Sequence, residues 1–256
     1  MMLEIYKGSI EYLFKNKENI IGITKAGILS LLSFLLIPIF LLCGFSYRVI
    51  EIGFVGKISY TNDPMPKLNN IKKMFIQGLK FLIVTFIYFI PTIIVVGIGL
   101  YREIISIDLN NLSPLINFNI GLTIIISLIL CFISFMFTTT AIPHMVKNKS
   151  IIYAFKFKDL IKLIKYNSIV NYLIFFIISI ILFDLIISIA YIASQFLNAA
   201  IGYIHYLIFS INLSFEVVGI LNLLMFFIFF LFLMGIYFVI ESRVMSFMYN
   251  EDGLEN

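Results

Sequence analysis

The sequence predicts an all-α fold, a polytopic transmembrane bundle of about six hydrophobic helices, or five if one is re-entrant, with three amphipathic interfacial helices. Hydrophobic residues make up 61% of the 256 positions and charged residues only 12%, whereas a soluble domain has about 25% charged residues. Several apolar runs also approach the roughly 20 residues that cross a bilayer as a helix. We therefore expect one membrane domain over residues 1–243 and a short acidic tail over 244–256.

Six apolar runs are predicted as spans, at about residues 20–47, 81–101, 120–142, 168–192, 197–213 and 217–240. Pro38 and Pro91 lie inside the first and second runs and are expected to kink them. No formal charge occurs between Leu185 and Phe215. We predict a turn at about Ser194-Gln195, which would separate the fourth helix from the fifth.

Three segments, residues 1–19, 67–80 and 147–165, read as amphipathic helices next to spans, the first with both charge signs and the other two basic. Such helices lie in the headgroup layer, where lysines contact phosphates. The predicted headgroup-binding residues are Lys67, Lys72, Lys73, Lys80, Lys158, Lys162 and Lys165. The expected partners are therefore membrane lipids with anionic headgroups. Nucleic acid is excluded, because no basic and aromatic platform lies outside the apolar runs, and protein partners and oligomeric state stay open.

Lysine and arginine near the span ends predict the orientation in a cell membrane. The 48–80 and 147–165 loops each carry six basic residues, whereas the 102–119 loop carries only Arg102. Both basic loops are therefore predicted to be cytoplasmic. The N-terminal segment is lysine-rich too, which leaves two alternatives for the first span. It is either a kinked or re-entrant helix pair around Pro38, or it follows an N-terminus left outside.

No set of residues typical of catalysis is found. Glycine-rich phosphate loops, zinc-binding His-Glu-x-x-His sequences and nucleophile elbows do not occur. Cys43 and Cys131 both lie in apolar runs and read as small core residues. His144 follows Pro143 at a membrane edge, where we expect a structural, half-hydrated role. The sequence therefore predicts no enzyme activity, cofactor or metal.

Asp184 is the only formal charge between Lys165 and Glu216. A charged side chain in the bilayer core costs about 3 kcal/mol on insertion scales, so it needs a partner or a place near water. If the fourth and fifth helices form a hairpin, Asp184 and His205 lie at equal depth. We therefore expect them to form an intramembrane polar pair, and an Asp close to the aqueous end of its helix is the alternative.

Several short motifs resemble one family in their order and spacing. Gly44-Phe45-Ser46-Tyr47-Arg48 resembles a Gly-aromatic-x-x-Arg signature, and Met65-Pro66 resembles a Leu-Pro pair. Phe75–Lys80 resembles Phe-x-Asp-Gly-x-Lys with Gly78 as its glycine, and Tyr88–Pro91 resembles Tyr-x-x-Pro. The chain is thereby similar to the domain-of-unknown-function family numbered four-zero-one-three, mostly archaeal multi-span proteins.

This resemblance implies a membrane location and structural roles for Gly44, Arg48, Pro66, Gly78, Tyr88 and Pro91, but no activity. The chain departs from the family where Lys67-Leu68 replaces Glu-Trp and Gln77 replaces Asp. Two functions remain after these observations. The protein binds or moves a small solute or lipid through its bundle, or it organises membrane or partners through its basic interfacial helices.

Overall fold

A computed structural model describes residues 2–55, 64–106, 114–209 and 214–249, and these residues form helices and connections without a β-strand. The α-helices are α1 (Met2–Phe14), α2 (Lys17–Leu31), α3 (Ile37–Val55), α4 (Ile71–Ser106), α5 (Pro114–Lys147), α6 (Phe157–Asn167), α7 (Ile169–Phe209) and α8 (Phe215–Met248). Short 3₁₀ helices cover Leu32–Leu35 and Ile151–Phe155. The chain forms two compact units, Met1–Leu79 with Ile177–Phe247 and Lys80–Phe176 with Met248–Asn256.

Five of the described helices, α3, α4, α5, α7 and α8, are long and apolar enough to cross a bilayer. The predicted membrane class is confirmed, with five such helices instead of six. The number falls because α7 runs unbroken for 41 residues, so the turn predicted at Ser194-Gln195 is wrong. The Ser194 hydroxyl donates to the Tyr191 carbonyl at 2.7 Å, and Asn198 Nδ2 donates to the Val218 carbonyl of α8 at 3.2 Å. The Ser194 hydroxyl and the Asn198 amide nitrogen thus find acceptors without a break in the helix.

The predicted first span is broken rather than kinked. Helix α2 ends at Leu31, a 3₁₀ turn follows, and Leu36 has a φ of 63°. Helix α3 then begins at Ile37, which places Pro38 in its first turn, where the missing proline N–H removes no helical hydrogen bond. Helices α2 and α3 pack against each other, so the chain reverses direction between them.

The segment 67–80 is not a separate surface helix, contrary to the prediction. Residues 64–70 are irregular, and α4 begins at Ile71 and continues for 36 residues, with Pro91 inside it. No break occurs between Lys80 and Phe81, so the basic residues form the first turns of a membrane helix about 54 Å long at 1.5 Å per residue. Pro143 is likewise inside α5.

In the first unit, α1 buries one face that includes Ile5, Tyr6, Ser9 and Tyr12. The opposite face exposes Leu3 (73%) and Phe14 (64%). Helix α8 continues to Met248, beyond the point where the sequence predicts a tail, and its last two turns are buried.

In the second unit, Tyr88 of α4 is the centre of an aromatic cluster. Its hydroxyl donates to the Ala154 carbonyl at 2.6 Å, and its ring stacks on Phe137 and Phe155. Thr140 of α5 donates to the Tyr172 hydroxyl of α7 at 2.8 Å. Hydroxyl groups thus join α5 to α7, while Tyr88 joins α4 to the 3₁₀ helix before α6.

Candidate functional site

A pocket of about 430 Å³ lies in the first unit, where the end of α3, the irregular 64–70 segment and the first turns of α4 meet. We call it the Arg48 pocket. It is lined by Arg48, Glu51, Ile52, Pro66, Lys67, Asn69, Asn70, Lys73 and Gln77. The pocket thus lies where polar segments give way to apolar helices.

The Arg48 guanidinium ties α3 to the opposite wall of this pocket. Nε donates to Oε1 of Gln77 at 3.1 Å. Nη1 donates to the carbonyls of Lys67 at 2.9 Å and Asn69 at 2.8 Å, with Asn69 Oδ1 at 2.9 Å. Nη2 makes one longer bond, 3.4 Å, to the Asn70 carbonyl. The fork of donors that only arginine offers therefore fixes the irregular segment in place.

The sequence of the irregular segment explains its shape. Pro64 and Pro66 cannot donate backbone hydrogen bonds, which favours extended chain here. Asn70 has a φ of 49°, a conformation that asparagine tolerates better than most residues. Its Oδ1 accepts from the Lys73 backbone N–H at 3.3 Å, so Asn70 caps α4.

Two glycines bring α3 and α4 close enough to form the pocket. The backbone of Gly78 lies against the Phe40 carbonyl and the Gly44 nitrogen, and the backbone of Gly44 lies against the Met74 carbonyl. A side chain at either glycine would overlap the other helix. This crossing is what places Arg48 one turn beyond Gly44 within reach of Gln77.

The charged residues that line the pocket are mostly cationic. Arg48, Lys67 and Lys73 contribute three positive charges and Glu51 one negative charge, which leaves a net charge of two. Lys67 and Lys73 are exposed, whereas Gln77 is 8% exposed. An arginine held by several hydrogen bonds and flanked by two exposed lysines is an arrangement that suits phosphate or carboxylate.

The motif residues identified from the sequence come together here. Gly44, Arg48, Pro66 and Gly78 form or line the Arg48 pocket, although they are spread over 35 positions of the chain. Tyr88 lies in the second unit, where it bonds Ala154, and Pro91 lies within α4.

The profile of a family described as "Protein of unknown function (DUF4013)" matches residues 29–199, which is more than half of the chain. This protein belongs to that family. Nothing among the curated proteins or the solved structures matches the chain. The matched region includes the whole Arg48 pocket, and the resemblance identified from the motifs is confirmed.

Gln77 and Lys67, the two positions at which the sequence departs from the motif it resembles, both line the Arg48 pocket. The Gln77 side chain accepts from Arg48 Nε and is neutral. Lys67 adds a positive charge to the lining.

The predicted pair of Asp184 and His205 does not form. Both residues are on α7, 21 positions and therefore about 30 Å apart along one helix. The pair depended on the turn at Ser194-Gln195, which does not exist. Asp184 is exposed on α7, 15 positions after the helix begins at Ile169, and its alternative location, close to the aqueous end of its helix, stays a prediction.

A buried carboxylate was missed because the sequence places it at the end of an apolar run. Glu241 of α8 is 4% exposed. Its Oε2 accepts from the Ser179 hydroxyl at 2.9 Å and its Oε1 from the Tyr6 hydroxyl at 3.3 Å. Burial and the Glu241 carboxylate raise the pKa of Tyr6, which keeps this hydroxyl a donor. The cluster holds α1 against α7 and α8.

The predicted half-hydrated role of His144 is wrong, since it is only 1% exposed. Its Nδ1 lies 2.8 Å from the Tyr249 hydroxyl, and its Nε2 lies 3.9 Å from Asp159 Oδ2. On the same helix as Asp159, Lys158, Lys162 and Lys165 are exposed. Their predicted contact with headgroups stays a prediction, as it does for Lys72 and Lys80 of α4.

Proposed function

We propose that this integral membrane protein binds the phosphate group of an anionic lipid in the Arg48 pocket, as a binding protein and not as an enzyme. The observation that carries the proposal is the positive lining of a pocket placed between polar chain segments and apolar helices. Its volume of about 430 Å³ is in the range of small-molecule sites.

The surroundings favour a lipid over a free phosphate ester. Below the pocket, α4 continues with exposed apolar side chains, Ile76 at 45% and Leu79 at 38%. Acyl chains attached to a headgroup in the pocket would lie along this surface, whereas a soluble ester would make no use of it. The preference for a lipid over a soluble phosphate ester therefore rests on the apolar residues as much as on the lysines.

The role of each charged residue follows from its contacts. Most N–H groups of Arg48 donate to the pocket wall, so Arg48 would supply a fixed positive field and, among the described residues, one N–H without an acceptor. Lys67 and Lys73 are exposed and would close on the phosphate. Each lysine near an anionic headgroup contributes about 1 kcal/mol.

Native mass spectrometry in lipid nanodiscs tests the proposal. We expect the wild type to retain phosphatidylglycerol over phosphatidylcholine. The double variant Lys67→Gln/Lys73→Gln should weaken that retention by roughly 30-fold, since two contacts of about 1 kcal/mol are lost. The matched control, Lys158→Gln/Lys162→Gln, removes the same charge from α6 and should leave it unchanged.

Two results would count against the proposal. Equal losses in both double variants would mean that headgroups bind diffusely along the basic segments, which is the membrane-organising function considered from the sequence. Displacement of phosphatidylglycerol by soluble glycerol 3-phosphate at equal concentration would identify a free phosphate ester as the ligand.

We also propose that the 48–80 and 147–165 loops face the cytoplasm, because they carry most of the basic residues that flank spans. The Arg48 pocket would then open to the cytoplasmic leaflet. Cysteines at Asn70 and Asn148 should react with an impermeant thiol reagent from that side only, and reaction from opposite sides would refute this orientation.

A further inference from the structure

Helices α2 and α3, with the turn between them, form a hairpin over residues 17–55. We propose that this hairpin is re-entrant: it enters one leaflet, contacts the acyl chains of that leaflet with its tip, and returns to the face it came from. Helix α3 has the length and composition of a span, so its length alone would suggest a crossing. The positions of its charged residues, its contacts with α8 and the exposure of its tip each indicate that the hairpin does not cross.

The charge-free arms of the hairpin are too short to cross. Lys25 on α2 is 11 positions before Leu36, and Arg48 on α3 is 12 positions after it. At 1.5 Å per residue each arm reaches about 16 to 18 Å. That is close to one leaflet of a hydrocarbon core about 30 Å thick.

Both outer ends of the hairpin lie beside the C-terminal end of α8. Gly53, near the end of α3, lies against Ser246. Before the start of α2, the Tyr12 ring lies 4.4 Å below the Arg243 guanidinium, and Asn19 Nδ2 donates to the Tyr12 carbonyl at 2.6 Å. The two ends are therefore on the same side of the membrane.

The tip stops well before the other end of α8. The α2 arm meets α8 where Gly27 packs on Phe232 and Gly235. From Gly235 to Phe215 is about 30 Å of helix, and from Gly27 to Leu36 is about 16 Å when the 3₁₀ turn is counted at about 2.0 Å per residue. About 14 Å of α8 therefore extends beyond the tip.

The surface of the tip suits hydrocarbon. Leu35 is 57% exposed, Leu36 71% and Ile37 63%. The turn also satisfies its own backbone, with Leu36 N–H donating to the Ser33 carbonyl at 3.0 Å, as nonpolar surroundings require.

Among the helices that the structure describes, a re-entrant hairpin leaves four crossings, by α4, α5, α7 and α8. An even number places α1, both basic loops and the end of α8 on one face. The lysines of the N-terminal segment and of both loops then all satisfy the positive-inside rule, which a single first span cannot do. This inference does not depend on lipid binding in the Arg48 pocket.

The depth of the tip tests the proposal. The chain has no tryptophan, so Leu36→Trp creates a single fluorophore that lipids brominated along their chains quench according to depth. We expect the strongest quenching by chain bromines and none by an aqueous quencher on either side. The control, Ile93→Trp in α4, reports an exposed residue of a crossing helix.

The sides of the two ends are measured in a Cys43→Ala/Cys131→Ala background. Cysteines at Lys17 and Lys72, both exposed, should react with an impermeant thiol reagent from one side. Reaction from opposite sides would establish a single crossing and overturn the proposal. Aqueous quenching of Trp at position 36 from the far side would establish two full crossings, and quenching from the near side a hairpin outside the membrane; either overturns it as well.

Discussion

Arg48 Nε lies 3.1 Å from Oε1 of Gln77, and this hydrogen bond joins α3 to α4 across the Arg48 pocket. The two residues are 29 positions apart. Gln77 is neutral, so this partner does not offset the positive charge of Arg48. The bond therefore shapes the pocket without reducing its attraction for anions.

Arg48→Lys should destabilise the protein. A lysine ammonium cannot reach Gln77 and the carbonyls of Lys67 and Asn69 together, because it lacks the planar fork of donors. We expect the free energy of unfolding to fall by about 2 kcal/mol, measured by thermal unfolding in detergent. The control Lys73→Gln removes an exposed charge from the same pocket and should change it by less than about 0.5 kcal/mol. An Arg48→Lys protein as stable as the wild type would show that the fork is dispensable.

The close crossing of α3 and α4 predicts that alanine lowers stability at Gly44 and Gly78 but not at Gly97. Gly44→Ala and Gly78→Ala place a methyl group on a backbone carbonyl of the opposing helix, so each should cost about 1 to 3 kcal/mol. Gly97→Ala, in the same helix as Gly78, meets nothing within 4 Å and should gain up to about 1 kcal/mol from helix propensity. Equal effects at positions 78 and 97, read from thermal unfolding, would refute the close crossing.

The Tyr6 and Glu241 side chains should be energetically coupled. Tyr6→Phe alone leaves a buried carboxylate with one donor fewer, at a cost of about 1 to 3 kcal/mol. In a Glu241→Met background the same change should cost much less, so the two effects will not add. Glu216→Met, at an exposed position of the same helix, is the control background. Additive effects of Tyr6→Phe and Glu241→Met would contradict the contact.

Asp184 and His205, by contrast, should behave independently. They are about 30 Å apart along α7, so the effects of Asp184→Asn and His205→Gln on thermal unfolding should add within about 0.5 kcal/mol. A larger coupling would restore the hairpin that the sequence predicted and contradict the continuous helix.

The membrane class could be predicted from run length and composition, because a helix must be apolar over the whole bilayer thickness. Breaks within the apolar runs were harder to predict. The polar residue Ser194 indicated a turn, yet its hydroxyl donates to the Tyr191 carbonyl of the same helix. Polarity alone does not distinguish a turn from a continuous helix. Pro38 correctly indicated that the first apolar run is not one straight helix. A proline that kinks a helix and a proline in the first turn of a new helix look the same in the sequence.

The candidate site was only partly predictable. Gly44, Arg48 and Gly78 were identified through the resemblance of their motifs to the family, which implied structural roles but no pocket. The partners of Arg48 are mainly carbonyls, which every residue has and no sequence pattern indicates. Glu241 was missed because its burial depends on Tyr6, 235 positions away.

The most direct test of lipid binding is the dissociation constant for phosphatidylglycerol across variants that change the charge of the Arg48 pocket stepwise. The net charge is two in the wild type, one in Gln77→Asp and zero in Lys67→Glu, which removes a positive charge and adds a negative one. We expect the constant to rise about fivefold per unit charge, at about 1 kcal/mol each, while Lys162→Glu in α6 leaves it unchanged. The same constant in all four proteins would contradict the proposed site.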